Sequence, residues 1–214
     1  MVILTAIGYI CVYMMVREGL EMLIRKLFKF ENAHIVRDCT SKRCRESIHG
    51  HSYKVEVLME SDYLDGGQMV YDFGLTKMHI KDLVDSFDHA ISLWSDDNPQ
   101  YIEDMKRHSS RWIMLPVSPS AEQLSRILFV MIDKLFELTT MVNSEANVKL
   151  NSIIVHETDT GYAQGFKDDA YSDKMGLINL EEIVFSDEIK NEWSDVDMWD
   201  KILKRTKFIN PKSL

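Results

Sequence analysis

The chain has 214 residues, 45% of them hydrophobic, a length and composition that suit one cored domain or one domain with appendages. Its formal net charge of −9 argues against a nucleic-acid-binding surface, while leaving room for local charge that holds a small anionic substrate. Three cysteines, Cys11, Cys39 and Cys44, are too few for a disulfide framework and point to reduced thiols in a cytoplasmic setting.

Met1 to Val16 is almost wholly apolar, broken by Thr5 and Gly8. It is short beside the roughly 20 residues of a membrane span, and it lacks the basic lead and small-residue cleavage site of a signal peptide. A membrane anchor is one reading. The expectation adopted is a dispensable extension over residues 1–21, with the working protein starting near Met22 and no membrane association.

Leu23 to Val36 reads as a first strand, with Ile24, Lys26, Phe28 and Phe30 on one side and Leu27 and Lys29 opposite. Arg37 to Ser47 is polar and cationic and reads as a loop. His51 to Tyr63 alternates as a second strand, and Asp65-Gly66-Gly67 is turn chemistry. Leu75 to about Ser86 has helical spacing, with Asp72 placed to cap its start. Ser92 to Pro116 has no clean period and reads as an irregular connection with one short helix. Ser118-Pro119-Ser120-Ala121-Glu122 predicts a helix start capped by Ser118, running to about Leu138. Val148 to Val155 and Gly161 to Phe166 read as third and fourth strands. The order gives no βαβ alternation and predicts an α+β fold with an antiparallel sheet. From Asp173 onward the chain reads as a helical C-terminal appendage. The expected organisation is an extension (1–21), a catalytic domain (22–172) and the appendage (173–214).

His49 and His51 sit two apart at the mouth of the second strand, so both imidazoles face one side. His34 ends the first strand. If the two strands pair across the intervening loop, three histidines meet, and three imidazoles with an open fourth position are a catalytic zinc pattern. Each histidine alone would pass for an ordinary polar residue near a loop. Cys44 lies among Lys42, Arg43 and Arg45, cations that favour a thiolate. Cys39 is close enough in sequence that chemistry alone does not choose between them. Asp88-His89 can relay protons, or can be a histidine favoured by a helix end. Glu157, after the third strand, can hold an amidine-like ring edge, or can be a solvated acid at a turn.

Taken in order, Phe30-x-x-Ala33-His34, Cys44, His49-Gly50-His51-x-Tyr53-x-Val55, Gly67-x-Met69-Val70-x-Asp72-Phe73, Asp88-His89, Pro119-Ser120-x-Glu122 and Glu157-Thr158 resemble the 6-pyruvoyl-tetrahydropterin synthase superfamily. The match is best with its bacterial branch, the 6-carboxy-tetrahydropterin synthases of the queuosine pathway, over roughly Met22 to Gly165. The resemblance implies the tunnelling fold, an antiparallel four-stranded sheet with two helices on one face, assembled as a homohexamer of two trimers with sites at subunit boundaries. It implies zinc on His34, His49 and His51, and Cys44 as proton acceptor. Asp88 and His89 would be the relay and Glu157 the pterin anchor, with Ser120 nearby. The substrate would be 7,8-dihydroneopterin triphosphate, with Arg43 as a triphosphate contact. The implied products are 6-carboxy-5,6,7,8-tetrahydropterin, acetaldehyde and triphosphate. Two related outcomes stay open, the 6-pyruvoyl product and the folate-branch 6-hydroxymethyl product. Glu46, three residues before His49, keeps the folate branch open because a glutamate replaces the cysteine there. A different class, an inactive zinc-stabilised binding or assembly protein, is disfavoured by the presence of thiol, relay and anchor together.

Overall fold

A computed structural model describes residues 21–213. The apolar N-terminal stretch, with its two readings as anchor or dispensable extension, lies outside the described residues. Among the described residues no helix is long and apolar enough to cross a membrane.

In chain order the elements are β1 (Met22–His34), α1 (Lys42–Glu46), β2 (His49–Ser61), α2 (His79–Asp85), β3 (Ala90–Trp94), α3 (Pro99–His108), β4 (Trp112–Leu115), α4 (Ala121–Leu138), β5 (Thr139–Thr140), β6 (Lys149–His156), β7 (Tyr162–Phe166), α5 (Lys167–Ala170), β8 (Val184–Phe185), α6 (Asp187–Glu192), α7 (Met198–Leu203) and β9 (Phe208–Ile209). The main sheet runs β7-β6-β2-β1-β3-β4-β8. Its first four strands are the expected antiparallel set. The β1–β2 hairpin pairs Met22 with Ser61 at one end and His34 with His49 at the other. Its alternation is clean because one face meets water and the other the core: Phe28, Phe30, Tyr53, Val55 and Val57 are buried, while Lys29, Glu31 and Leu27 are exposed.

The layer over that core face is α4 with α2. Helix α4 is buried along most of its length, Leu124, Ile127, Leu128 and Met131 having no exposure. It starts two residues later than the Ser118 cap predicted. Ser120 is the N-cap, its hydroxyl accepting from the Gln123 amide at 3.3 Å. The delay has a tertiary cause, because the Pro119 carbonyl is engaged by His34, 2.6 Å away, and the chain stays extended through Ser120. Leu75 to Ser86 is likewise not one helix. A 3₁₀ turn at Leu75–Lys77 breaks at Met78 before α2 begins. Asp72 does receive the Gly74 amide, at 2.7 Å.

The connection expected to be irregular is a β3-α3-β4 unit added parallel to β1. Ala90 to Leu93 is buried on both faces, so β3 has no alternation to read. Asn98 caps α3 with Pro99 at its first position. The C-terminal segment is helical only in part. Its β8 extends the sheet from β4 and its β9 pairs with β5. Ile183, Phe185, Trp193, Met198, Trp199 and Ile202 join the same core as the sheet and α4.

Candidate active site and metal centre

The hairpin register delivers the histidines. His34 is directly opposite His49, and Asn32 is opposite His51. Ring centroids are 4.6 Å apart for His34–His49, 5.2 Å for His34–His51 and 5.1 Å for His49–His51. One ligand atom from each ring falls within 4.8 Å of the other two. The His34 Nδ1 lies 2.6 Å from the Pro119 carbonyl and the His49 Nδ1 lies 3.0 Å from the Ser47 carbonyl. A carbonyl only accepts, so both Nδ1 atoms carry a proton, which turns the two Nε2 atoms toward the cluster as the ligand candidates.

Two further observations fit a bound cation. The Nε2 atoms of His34 and His51 are buried without a hydrogen-bond partner, which is costly unless something is coordinated there. Burial, with smaller contributions from the neighbouring imidazoles, holds the His34 pKa down to about 4 against the Pro119 bond, so its ring is neutral near pH 7. Three imidazoles are a donor set for a borderline-soft divalent metal.

Glu157, just past the end of β6, brings a carboxylate beside the cluster. Its Oε1 is 3.7 Å from the His34 Nε2 and 3.9 Å from the His51 Nε2, and it accepts from the Tyr53 hydroxyl at 3.4 Å. Tyr53 is 1% exposed and faces the rings of His34 and His51 edge-on. Burial first, then the nearby Glu157 charge and hydrogen bond, pushes its phenol pKa far up, so it stays a donor. The sequence marks Tyr53 by its place in the second strand and in the family motif, and gives it no polar role, since that role depends on a carboxylate far along the chain.

The Asp88–His89 pair sits on the tight connection from α2 to β3. The Glu31 amide donates to the Asp88 carboxylate at 2.8 Å, and the His89 amide donates to the Glu31 carbonyl at 2.7 Å. The His89 Nδ1 is 3.0 Å from Asp88 Oδ2. Burial raises the Asp88 pKa, but the bonds from Glu31 and His89 outweigh it and hold the carboxyl below its ordinary range. His89 itself has φ 52°, the left-handed region. A cavity of about 510 Å³ is lined by His51 and His89 together with Ile48, Ile91, Met105 and His108. It brings His89 and one metal-ligand candidate to one space. Met105 and His108 come from α3, which the sequence left within an irregular stretch.

Not every expected residue converges. Cys44 is half-buried on α1, outside both the imidazole cluster and the cavity lining. Arg43 is exposed on the same short helix. Glu46 is exposed and turned toward Lys42 at 3.7 Å and Arg45 at 3.3 Å. Ser120 stands next to Pro119, whose carbonyl orients His34, and its hydroxyl serves the α4 cap.

Comparison with known proteins places this geometry. The family described as 6-pyruvoyl tetrahydropterin synthase matches residues 23–167. A protein of Helicobacter pylori (strain J99) named 6-carboxy-5,6,7,8-tetrahydropterin synthase is 35% identical over 196 residues, covering 90% of this chain and 98% of that protein. Coverage that broad extends past residue 167 into the C-terminal segment. One of the same name from Aquifex aeolicus is 29% identical over 158 residues, covering 66% of this chain and 95% of that protein. Among solved structures, an uncharacterized Wolinella succinogenes protein matches with a TM-score of 0.55 at 19% identity, over 70% of this chain and 99% of that one. The 6-pyruvoyl tetrahydropterin synthase of Plasmodium falciparum matches at 0.51 and 22%, over 69% of this chain and 98% of that one. Both structural likenesses establish the tunnelling fold.

Proposed function

Because this chain belongs to the 6-pyruvoyl tetrahydropterin synthase family, we propose that it converts 7,8-dihydroneopterin triphosphate to 6-carboxy-5,6,7,8-tetrahydropterin, releasing acetaldehyde and triphosphate, in the queuosine pathway. The observation that carries the proposal is the cluster of His34, His49 and His51, with two buried Nε2 atoms left unpartnered beside Glu157. Those three residues would hold zinc, which when bound supplies Lewis acidity to the substrate's side-chain hydroxyls. The carboxy product is preferred because the relatives that match most of this chain bear that name.

The chain's own groups then divide the work. Glu157, steadied by the Tyr53 hydroxyl, accepts from the 2-amino and ring N–H edge of the pterin. The Asp88 carboxylate holds the His89 Nδ1 proton, leaving Nε2 to exchange a proton with substrate in the shared cavity. Cys44, with Arg43 and Arg45 beside it, serves as the thiolate proton acceptor. Arg43 meets the triphosphate, and Ser120 borders the pterin end. For Cys44 and Arg43 to reach substrate, the α1 loop or an adjoining subunit must bring them to the cavity. This fits sites at the subunit boundaries of a homohexamer. The open sheet face supports such an assembly, exposing Leu23, Leu27, Tyr162 and Phe166. The salt-bridged setting of Glu46 favours the thiol over a carboxylate as acceptor, and so disfavours the hydroxymethyl product.

The test is turnover of dihydroneopterin triphosphate by zinc-loaded protein, with the product identified by mass. A pyruvoyl or hydroxymethyl product replaces the proposed outcome. No turnover, together with unchanged stability of Cys44→Ala, leaves a zinc-stabilised binding protein and sinks the enzyme.

A further inference from the structure

The turn that carries Asp88 and His89 is gripped twice. Glu31 of β1 holds it by the bonds described above. The second grip is Arg111, the residue before β4. Its Nε donates to the Asp88 carbonyl at 2.8 Å and its Nη2 donates to the Asp85 carbonyl at 3.0 Å. Its Nη1 pairs with the Glu192 carboxylate on α6. The Arg111 backbone is itself fixed, its carbonyl accepting from the Ile91 amide of β3 at 3.1 Å. The Arg111 side chain is 15% exposed, and with Asp85, Asp88, His89 and Glu192 it lines a cleft of about 300 Å³.

Resting on the reaction proposed above, we infer that Arg111 is a positioning residue for the Asp88–His89 relay, and that Glu192 of the C-terminal segment holds Arg111 in place. The Asp85 carbonyl closes α2 and already accepts from the Asp88 amide at 2.9 Å, while the Asp88 carbonyl lies in the turn beyond the helix. A planar guanidinium meets both at a fixed angle, tying the helix end to the turn, which a single point donor does not. His89 needs that rigidity. Its φ of 52° is disfavoured for a residue with a Cβ and persists where its surroundings over-determine it. Glu31 fixes the Asp88 carboxylate and the His89 amide, while Arg111 fixes the Asp88 carbonyl between them. A segment outside the family match thus reaches the relay through two side chains.

Misplacing a catalytic group by about 1 Å can cost about 10²-fold in rate. Arg111→Gln in the zinc-loaded full chain is expected to lower kcat by about that factor, with KM and metal content close to wild type. Arg111→Lys, which keeps a cationic donor, recovers part of the loss. Glu192→Gln lowers kcat less than Arg111→Gln does. A readout independent of substrate is the ¹⁵N imidazole spectrum, with His89 assigned by its absence in His89→Asn. The Nδ1–H tautomer is expected in wild type and a tautomer mixture in Arg111→Gln. Unchanged kcat and an unchanged His89 spectrum in Arg111→Gln overturn the inference. So does a kcat loss matched by metal loss, which would mark a general lesion. Wild-type kcat in Glu192→Gln refutes the part given to the tail. If wild type fails to turn over substrate, the reaction is wrong, and the His89 spectrum still decides the role of Arg111.

Discussion

Asn32→Leu tests how the Asp88–His89 turn is tied to the strand that carries His34. Asn32 is the polar interruption in a core-facing row of Phe28, Phe30 and His34, and it is 4% exposed. Its Nδ2 donates to the carbonyls of Phe87 and Ala90, each at 2.9 Å, and its Oδ1 accepts from the Ser92 hydroxyl at 2.9 Å. Leucine has similar bulk and removes all three bonds; the Phe87 carbonyl keeps the Ala90 amide at 3.3 Å, while the Ala90 carbonyl and the Ser92 hydroxyl lose this partner. Each stranded buried group costs about 1–3 kcal/mol, and leucine returns roughly 1 kcal/mol through apolar burial. The net expectation is about 3 kcal/mol, or a fall in Tm on the order of 10 °C for a chain of this size. Ser92→Ala removes one arm of the same network and should cost about 1 kcal/mol. Urea denaturation at fixed protomer concentration and fixed metal loading measures both. Because the lost bonds flank Asp88 and His89, turnover should fall further than metal content. The reasoning fails if Asn32→Leu is no less stable than Ser92→Ala, or if it turns over substrate normally.

Three other predictions follow from the same geometry. His49→Ala should abolish stoichiometric zinc by elemental analysis while the far-UV circular dichroism persists; stoichiometric zinc in that variant refutes the ligand set. Gly165→Ala places a Cβ 2.9 Å from the Ser125 hydroxyl on α4 and should cost about 1–3 kcal/mol. Adding Ser125→Ala should restore most of it, so strictly additive effects would refute that contact. Glu56 is held below its ordinary value of 4.5, burial being outweighed by its bonds to Arg25 and His156, each 2.8 Å long. A depressed folded pKa gives stability that is full above pH 4.5 and lost as pH falls through the folded value. Glu56→Gln should therefore flatten that part of the acid-unfolding profile, and an unchanged slope would show the pairing carries no linkage.

The sequence made the hairpin legible because β1 and β2 alternate between water and core, and that alternation, with the pairing of the two strands, brings His34, His49 and His51 together. What stayed illegible depends on distant partners. β3 has no water-facing side, so its strand character had no period. α4 begins late because His34 holds the Pro119 carbonyl. Tyr53, Asn32 and Arg111 read as ordinary strand or loop residues until Glu157, the Phe87–Ala90 turn and α6 come beside them. The tail's strands are two residues long and are set by β4 and β5 rather than by their own pattern. Spacing places Cys44 near the histidines in sequence, and in the structure it stands on α1 outside their cluster and outside the cavity lining.

The unbroken register of the hairpin bears on which changes of length the chain can absorb. The pairing of β1 with β2 has no shift from end to end, and the irregularity in β2 lies on its β6 side, at Leu58/Met59. One residue inserted between His51 and Tyr53 would turn both β2 imidazoles to the wrong face. The loop above is different. It closes on itself, the Val36 amide donating to the Cys44 carbonyl and Arg45 to the Cys39 carbonyl. Residues can be gained or lost between Asp38 and Arg43 without disturbing the Ser47 carbonyl that holds the His49 ring. The half of the site that presents the three histidines is thus intolerant of insertion and deletion, while the segment bearing Cys44 and Glu46 lies outside that register and can change its acidic or thiol group independently of it.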